Sequence, residues 1–274
     1  MPPLVMGIVN VTPDSFAESD PLVADGFVNV DSAVQRGLGL AAAGADIVDV
    51  GGESTRPGAE PVDAAEEQRR LLPVIAALAE AGVKVSVDTR HAETAAAAVS
   101  VGASIINDVS CGRHPQMFDV VAETGVQYVL MHNRGDSADM YARAEYADIA
   151  AEVAQELQSR VAAALTAGVA REQLIIDPGI GFAKTPAQNW DLLRNLGPVR
   201  SLGLPVLLGA SRKRFLGELL DSPSDPRPVE QRDVATAAFS FWAAALGLWA
   251  VRVHDVRATC DAIAVAHALA VNDA

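Results

Sequence analysis

The stretch Val83-Lys-Val-Ser-Val-Asp-Thr89, followed by the Ala-rich segment 92–101, Gly102 and Ser104-Ile-Ile-Asn-Asp-Val109, decides the fold. Both flanking runs are short and nearly continuous in apolar residues, as strands covered on both faces require. The Ala-rich segment has high helix propensity, and Gly102 stands where a helix C-cap glycine belongs. The stretch therefore predicts a strand, a helix and a second, parallel strand.

The same unit recurs along the chain. Apolar runs followed by helical segments are Val5–Thr12, Ala45–Gly52, Val83–Thr89, Ser104–Val109, Gln127–His132, Gln173–Gly179, Pro205–Ser211 and Ala250–Val256. Glycines stand just before strands at Gly44, Gly82, Gly102, Gly125, Gly168 and Gly203. Eight β-then-α units predict an α/β fold, a single (β/α)8 TIM barrel over residues 1–274. The alternative, a doubly wound open sheet, usually has fewer strands and needs a Gly-rich first turn, which is missing here.

The helix after the fifth run has a regular pattern. Apolar residues recur every four positions at Ile149, Val153, Leu157, Val161 and Leu165. This spacing predicts that all five share one buried helical face.

An uncharged segment, Val234–Val251, is long enough to raise the question of a membrane span. It is Ala-rich, however, contains Thr236, Ser240 and Gly247, and runs directly into a strand. We therefore expect a helix buried on all sides rather than a span. Because one barrel covers only one face of such a helix, the segment predicts a homodimer.

Charge and cysteine content limit the classes of partner. The net charge is −14, from 35 acidic and 21 basic residues, and a field of this sign repels nucleic acid and anionic membranes. An anionic substrate would need a local cluster of cations. Cys111 and Cys260 have no metal-site spacing, and the first residues lack the pattern of a signal peptide, so a cytoplasmic location is expected.

Polar residues concentrate where the predicted strands end, and barrel enzymes carry their chemistry at that end. They include Asn10, Thr55, Arg56, Pro57, Asp88, Asn107, His132, Asp177, Ser211, Arg252 and His254. The cations suited to an anionic group are Arg56, Arg212, Lys213, Arg252 and His254. Asp88, Asn107 and Asp177 supply acceptors and an amide for a heterocycle.

Other polar residues have simpler interpretations. Asp108 and Asp255 are interpreted as helix caps or rim ion pairs, and Lys84 and Lys184 as solvated surface groups. The histidines expected to face solvent are His91, His114 and His267. Residues 179–185 differ from a phosphate-binding loop because Ala183 precedes the lysine where glycine is required. Histidine spacing typical of zinc sites is missing from the sequence.

The ordered motifs of the chain resemble those of dihydropteroate synthases. The matching segments are Met6–Phe16, Val50–Gly58, Ser86–Thr89, Ile106–Ser110, Asp177–Phe182, Gly209–Phe215 and Arg252–Val256. The resemblance spans nearly the whole chain. It implies an enzyme, a transferase of folate biosynthesis that condenses 6-hydroxymethyl-7,8-dihydropterin diphosphate with p-aminobenzoate, releases diphosphate and needs Mg²⁺. It also implies that this site is the one that sulfonamides target in the family.

The resemblance also implies residue roles. Pterin contacts fall to Asp88, Asn107, Asp177 and Lys213, and the chemistry to Asp88, Asp177 and Lys213. Diphosphate contacts fall to Arg56, Arg252 and His254, and the metal to Asn10. The p-aminobenzoate subsite is bordered by Thr55, Pro57, Phe182, Ser211 and Lys213.

The sequence departs from the family pattern at three places. Ala17–Asp20 replaces the usual continuation of the first motif, Cys111 stands where glycine is usual, and Asn133 where a larger residue is common. Two alternatives stay open at this point. One is a barrel like the methyltetrahydrofolate–corrinoid methyltransferases, and the other is a non-catalytic pterin-binding paralogue.

Overall fold

The computed structural model describes residues 1–12, 23–24, 27–53, 62–135, 144–222 and 226–270. Within these ranges the chain alternates strands and helices. The barrel strands are β1 Leu4–Asn10, β2 Ile47–Gly51, β3 Val85–Asp88, β4 Ile105–Asp108, β5 Gln127–Met131, β6 Leu174–Asp177, β7 Leu207–Leu208 and β8 Ala250–Val253. All eight predicted strands are confirmed. Each strand begins within two residues of the start of its apolar run.

The strands form one parallel sheet in the order β6-β5-β4-β3-β2-β1-β8-β7. The two ends of this order meet at a parallel bridge between Ile176 and Val206, where the Ile176 amide donates to the Pro205 carbonyl at 2.9 Å. The sheet therefore curves into the predicted (β/α)8 barrel. Because all strands are parallel, their carboxyl ends lie at the same end of the barrel, which we call its mouth.

Helices follow the strands and cover the outside of the barrel. They are α1 Val30–Ala42, α2 Ala64–Glu80, α3 Ala92–Ser100, α4 Gln116–Thr124, α5 Ile149–Thr166, α6 Pro186–Arg194, α7 Gly197–Arg200, α8 Arg214–Leu220, α9 Asp233–Ala245 and α10 Val256–Ala270. Short antiparallel strands Val23–Ala24 and Phe27–Val28 precede α1. Single 3-10 turns lie at Arg171–Gln173 and Val229–Arg232.

The helix ends follow the predicted glycine positions. All six glycines that precede strands have positive φ, as C-cap residues do. Gly102 has a φ of 115°, and a Cβ there would lie 2.5 Å from the Cβ of Ala79. Any larger residue at Gly102 would therefore force α2 and α3 apart.

The predicted face of α5 is correct for its first four residues and wrong for the fifth. Ile149, Val153, Leu157 and Val161 are buried, but Leu165 is 39% exposed. A four-residue step turns an α-helix by about 400°, so the row drifts by about 40° at each step. The last member has moved off the core side, and Ala164 is buried in its place.

Helix α9 includes most of the apolar segment examined for a membrane span. In the described ranges, no helix is long and apolar enough to cross a membrane. One side of α9 is buried through Thr236, Phe239, Ser240 and Ala243, whereas Val234 is 83% exposed. An apolar groove of about 690 Å³ lies between α6, α8 and α9, lined in part by Trp190, Leu216, Leu219, Val234 and Trp242.

Candidate active site

A layer of polar side chains fills the barrel near its mouth. Its members come from the four even-numbered strands: Asp49 of β2, Asn107 of β4, Asp177 of β6 and Arg252 of β8. Each lies two residues beyond an apolar interior residue, these being Ile47, Ile105, Ile175 and Ala250. Because side chains alternate along a strand, both sets point inward, as layers from alternate strands do in such barrels. We call the four polar residues the polar layer and the four apolar ones the floor.

Arg252 connects three strands across the barrel. Its Nε donates to Asp49 Oδ2 at 2.6 Å and its Nη2 to Asp88 Oδ2 at 2.7 Å. Burial lowers the pKa of Arg252, but attraction to Asp49 and Asp88 outweighs it, and the pKa is raised overall. Burial also raises the pKa of Asp88 to about 7, against the attraction of Arg252. The single guanidinium thus pairs with two carboxylates, the buried Asp49 and the half-buried Asp88.

Asp49 is a site residue that the sequence analysis missed. It is fully buried, and its Oδ2 also accepts from Asn107 Nδ2 at 3.2 Å. Its Oδ1 is buried without a hydrogen-bond partner among the described residues. The signal that could have found Asp49 is its offset of two residues from Ile47, which Asn107 shares relative to Ile105.

Asp177 lies opposite, at the end of β6. Its Oδ1 accepts from the Gly179 amide at 2.7 Å, and burial raises its pKa against the attraction of Lys213. A Cβ added to Gly209 would lie 3.7 Å from Asp177 Oδ2 and 3.9 Å from both Lys213 Nζ and Arg252 Cβ. Gly209 therefore leaves the space in which these three side chains approach one another.

Lys213 and Phe182 form one wall beside Asp177. The Lys213 Nζ lies 4.6 Å from the centre of the Phe182 ring and donates to the Ile180 carbonyl. Burial lowers the pKa of Lys213 to about 8, although Asp177 opposes this shift. A cation over an aromatic face next to a carboxylate offers both a polar edge and a flat apolar surface to a ligand.

The remaining described candidates lie around this group. Ser211 Oγ is 2.9 Å from His254 Nδ1 and accepts from the His254 amide at 3.2 Å. Asn10 is half-buried at the end of β1, next to Gly51 of β2. Its side-chain amide has no hydrogen bond to another residue in the described part of the chain. The structure thus brings acceptors, cations and an aromatic ring to one mouth.

Similarity to known proteins is extensive. A family model described as "Pterin binding enzyme" matches residues 6–254. The dihydropteroate synthase of Mycobacterium leprae is 50% identical over 267 residues, covering 96% of this chain and 92% of the relative. Two structures of the Xanthomonas albilineans dihydropteroate synthase also match. The one with 4-aminobenzoic acid has a TM-score of 0.88 and 45% identity, and the one with 7,8-dihydropteroate has 0.84 and 42%; each covers 98% of this chain and 94% of the other.

The chain belongs to the dihydropteroate synthase family. It is therefore a pterin-binding enzyme and a transferase. The resemblance seen in the motifs is confirmed, and nothing among these matches favours the methyltransferase or the non-catalytic alternative.

Part of the family's site falls outside the described residues. Thr55, Arg56 and Pro57 of the second motif lie there, as does Ala17–Asp20, where the sequence departs from the family pattern. Cys111, the second departure, is buried with a φ of 63°, a left-handed conformation that favours glycine. Neighbouring Asp108 is neither the helix cap nor the rim ion pair that was expected, since its buried carboxylate accepts from the Tyr128 hydroxyl at 2.6 Å and from the amides of Ser110 and Gly112.

Three sequence-based interpretations of site residues are wrong. Arg212 does not join the cations of the dihydropteroate synthase site, because its guanidinium binds Asp233 through two hydrogen bonds of 2.7 Å. Lys184 is not a solvated surface group, since it is 1% exposed. His91 is half-buried, with its Nδ1 3.0 Å from Glu67 Oε2, and this hydrogen bond raises its pKa. His114, His267 and Lys84 are exposed as predicted.

His91 also belongs to a group of possible metal ligands with Glu53 and Glu67, whose ligand atoms lie within 4.8 Å of one another. Arg90 already binds both oxygens of Glu53, at 2.7 and 3.0 Å. The Thr89 hydroxyl donates to Glu67 Oε2 at 2.7 Å. We interpret this group as an ion-pair cluster that fixes the end of β3, where Asp88 lies.

Proposed function

We propose that the barrel mouth condenses 6-hydroxymethyl-7,8-dihydropterin diphosphate with p-aminobenzoate, giving 7,8-dihydropteroate and diphosphate. The observation that carries the proposal is the polar layer with Lys213 and Phe182 beside it. The layer offers carboxylate acceptors, an amide and a guanidinium, with the Lys213 ammonium beside them, above a floor of apolar side chains. A flat heterocycle with ring N–H donors and a charged tail matches this set.

The pterin is assigned to Asp88, Asn107, Asp177 and Lys213. Asp177 has one oxygen, Oδ1, held by the Gly179 amide, and its Oδ2 faces the space beside Gly209. That oxygen can accept from ring N–H and amino donors. The Asn107 amide is oriented by Asp49. The ring would thus be held at its polar edge, with Lys213 close by.

The diphosphate is assigned to Arg56, Arg252 and His254. These cations meet the requirement that an anionic substrate sets for a protein of net charge −14. Mg²⁺ fits beside them, because the amide oxygen of Asn10 is a hard ligand and diphosphate oxygens would supply others. When bound, Mg²⁺ neutralises charge on the leaving group.

The p-aminobenzoate subsite is assigned to Thr55, Pro57, Phe182, Ser211 and Lys213. Among the described members, the Phe182 ring provides a flat apolar contact and Lys213 a cation near the carboxylate of the substrate. Ser211 is held by His254 and so links this subsite to the diphosphate subsite.

The chemistry needs charge stabilisation more than a strong base. The bond between the pterin methylene carbon and the diphosphate oxygen breaks, and its electron pair leaves with diphosphate. The aniline nitrogen forms the new C–N bond and loses a proton to solvent. Asp88 and Asp177 are placed to stabilise positive charge that develops on the pterin, while Arg252 balances charge on the departing group.

Assembly and compartment belong to the same proposal. The chain forms a homodimer through the apolar groove between α6, α8 and α9. Val234 and Leu219 line this groove and are exposed in the single chain, so a second copy would cover them. It forms one domain over residues 1–274 and works in the cytoplasm, which suits its two free cysteines.

A diphosphate-release assay tests the proposed reaction. The wild-type chain with Mg²⁺ and the pterin diphosphate should release diphosphate rapidly only when p-aminobenzoate is added. Asp177→Asn should lower this release, whereas Asp191→Asn, at an exposed residue of α6, serves as the matched control. Absence of p-aminobenzoate-dependent release from the wild-type chain would overturn the proposal.

A further inference from the structure

Lys184 is the one buried lysine whose contacts the proposed reaction does not use. It is 1% exposed and follows directly on the turn that runs from Asp177 to Ala183. Its Nζ donates to the carbonyls of Gly179 and Phe182, each at 3.0 Å, and lies 2.9 Å from His132 Nδ1. An ammonium group has three donors, and here each has an acceptor.

His132 completes the contact with Lys184 as a neutral ring. Burial lowers its pKa to about 4, with Lys184 adding to the shift. If Nδ1 accepts from Lys184, the ring proton is on Nε2, which lies 3.0 Å from Glu156 Oε2. The contacts therefore fix one tautomer of His132 and connect Lys184 to α5.

A second set of contacts connects Glu156 back to the residue before Lys184. Arg134 Nε donates to Glu156 Oε1 at 2.9 Å, and the Arg134 guanidinium lies 3.7 Å from the centre of the Tyr146 ring. The Tyr146 hydroxyl donates to the carbonyl of Ala183 at 3.0 Å, next to Lys184 in the chain. We call Lys184, His132, Glu156, Arg134 and Tyr146 the Lys184 network.

The Lys184 network holds the backbone of the turn that carries two candidate site residues, Asp177 and Phe182. Gly179, whose carbonyl binds Lys184, donates through its amide to Asp177 Oδ1. Gly179 has a φ of 67°, and a Cβ there would lie 1.9 Å from the His132 carbonyl oxygen. Phe182, whose carbonyl also binds Lys184, carries the ring that faces Lys213.

We infer that Lys184 is a positioning residue, which sets Asp177 and Phe182 through the carbonyls of Gly179 and Phe182. This inference rests on the proposed function, because Asp177 and Phe182 are assigned there to the pterin and p-aminobenzoate subsites. Lys184 itself touches no substrate. Loss of its three hydrogen bonds should release the turn and misplace both subsites while the barrel strands stay intact.

Lys184→Met is the direct test, since methionine has similar length and no donor. We expect the KM for p-aminobenzoate and the Kd for 6-hydroxymethylpterin each to rise on the order of tenfold, as small displacements of positioned groups cause. Lys184→Gln, which keeps two N–H donors, should restore part of both. The matched control is Lys84→Met, because Lys84 is exposed and binds only Gln127 Oε1 among the contacts described. It should leave both constants unchanged.

Tyr146→Phe keeps the test decisive if Lys184→Met does not fold. It removes only the hydroxyl that binds the Ala183 carbonyl, and a rise in the KM for p-aminobenzoate is again expected. A lower melting temperature with unchanged KM and Kd, in whichever of these variants fold, would show that Lys184 is only structural. An inactive wild-type chain would instead overturn the proposed function, so the two failures are distinguishable.

Discussion

Asp49 of β2 and Arg252 of β8 form an ion pair across the barrel interior, with Arg252 Nε 2.6 Å from Asp49 Oδ2. The strand between them in the sheet, β1, contributes nothing to this contact. The pair holds the guanidinium at the height at which Asp88 and the proposed diphosphate can both reach it. We therefore expect Asp49 to affect substrate binding through Arg252, without touching substrate.

Asp49→Asn should therefore weaken both stability and binding. Removing one charge of a buried pair costs roughly 3–5 kcal/mol of unfolding free energy, and Asp88 as a second partner should keep the loss near the lower end. Denaturant unfolding measures the loss, and calorimetry with the pterin diphosphate measures affinity. Asp261→Asn, at an exposed residue of α10, is the control. Equal stability and affinity in Asp49→Asn and the wild type would contradict the positioning role.

Asp177→Asn should weaken pterin binding strongly. An amide cannot accept hydrogen bonds through both of its terminal groups, and Gly179 already uses one oxygen of Asp177. Loss of a charge-assisted contact costs roughly 1.5–3 kcal/mol. Calorimetry with 6-hydroxymethylpterin checks this, with Asp191→Asn as the control. Unchanged affinity would remove Asp177 from the pterin subsite.

Lys184 and Lys213 should titrate at unusually low pH. Burial lowers the pKa of Lys184 to about 7 and that of Lys213 to about 8, from 10.5, against the attraction of Asp177. The folded chain then binds fewer protons than the unfolded chain above about pH 7, so these sites raise the free energy of unfolding as pH increases toward 10.5. The chain has three lysines, and NMR with ¹³Cε-lysine resolves them. A Lys184 signal that starts to move only above about pH 9 would refute this.

Binding of the two substrates should be ordered, with the pterin diphosphate first. p-Aminobenzoate has few polar groups and should bind weakly on its own. Diphosphate is proposed to bind Arg56, and we expect this contact to hold Thr55, Arg56 and Pro57 in place for the second substrate. Diphosphate with Mg²⁺ should raise the affinity for a sulfonamide about tenfold, or about 1.4 kcal/mol of coupling. Titration calorimetry with and without diphosphate measures this. Equal affinities would mean that the second subsite is already formed.

Val234→Asp should separate the proposed dimer. Val234 is 83% exposed and lines the groove between α6, α8 and α9, so a carboxylate there would be desolvated on association. Light scattering should give about twice 28.6 kDa for the wild type and about 28.6 kDa for the variant. Val265→Asp, at an exposed valine of α10, is the control. A monomeric wild type at micromolar concentration would contradict the proposal.

Strand positions and strand-end chemistry were predictable from sequence because both depend on local order. A strand buried on both faces must be apolar, and its last inward residue must be polar if it reaches a site, so Asn107 and Asp177 could be found. Lys184 could not, since its partners at His132 and Phe182 are brought together only by the closed barrel. The ion pair of Arg212 could not be predicted either, since its partner Asp233 lies 21 residues away in the sequence.

The floor of Ile47, Ile105, Ile175 and Ala250 has a consequence for ligand shape. It lies two residues below the polar layer, or about 6.6 Å along a strand, and is closely packed. A ring bound at Asp177 therefore has no room to extend downward. Inhibitors can be lengthened only toward solvent, and Ala250→Leu would reduce the depth available beneath Arg252 without altering any polar group. We therefore expect the flat ligands that this site accepts to differ in how far they project outward from the polar layer.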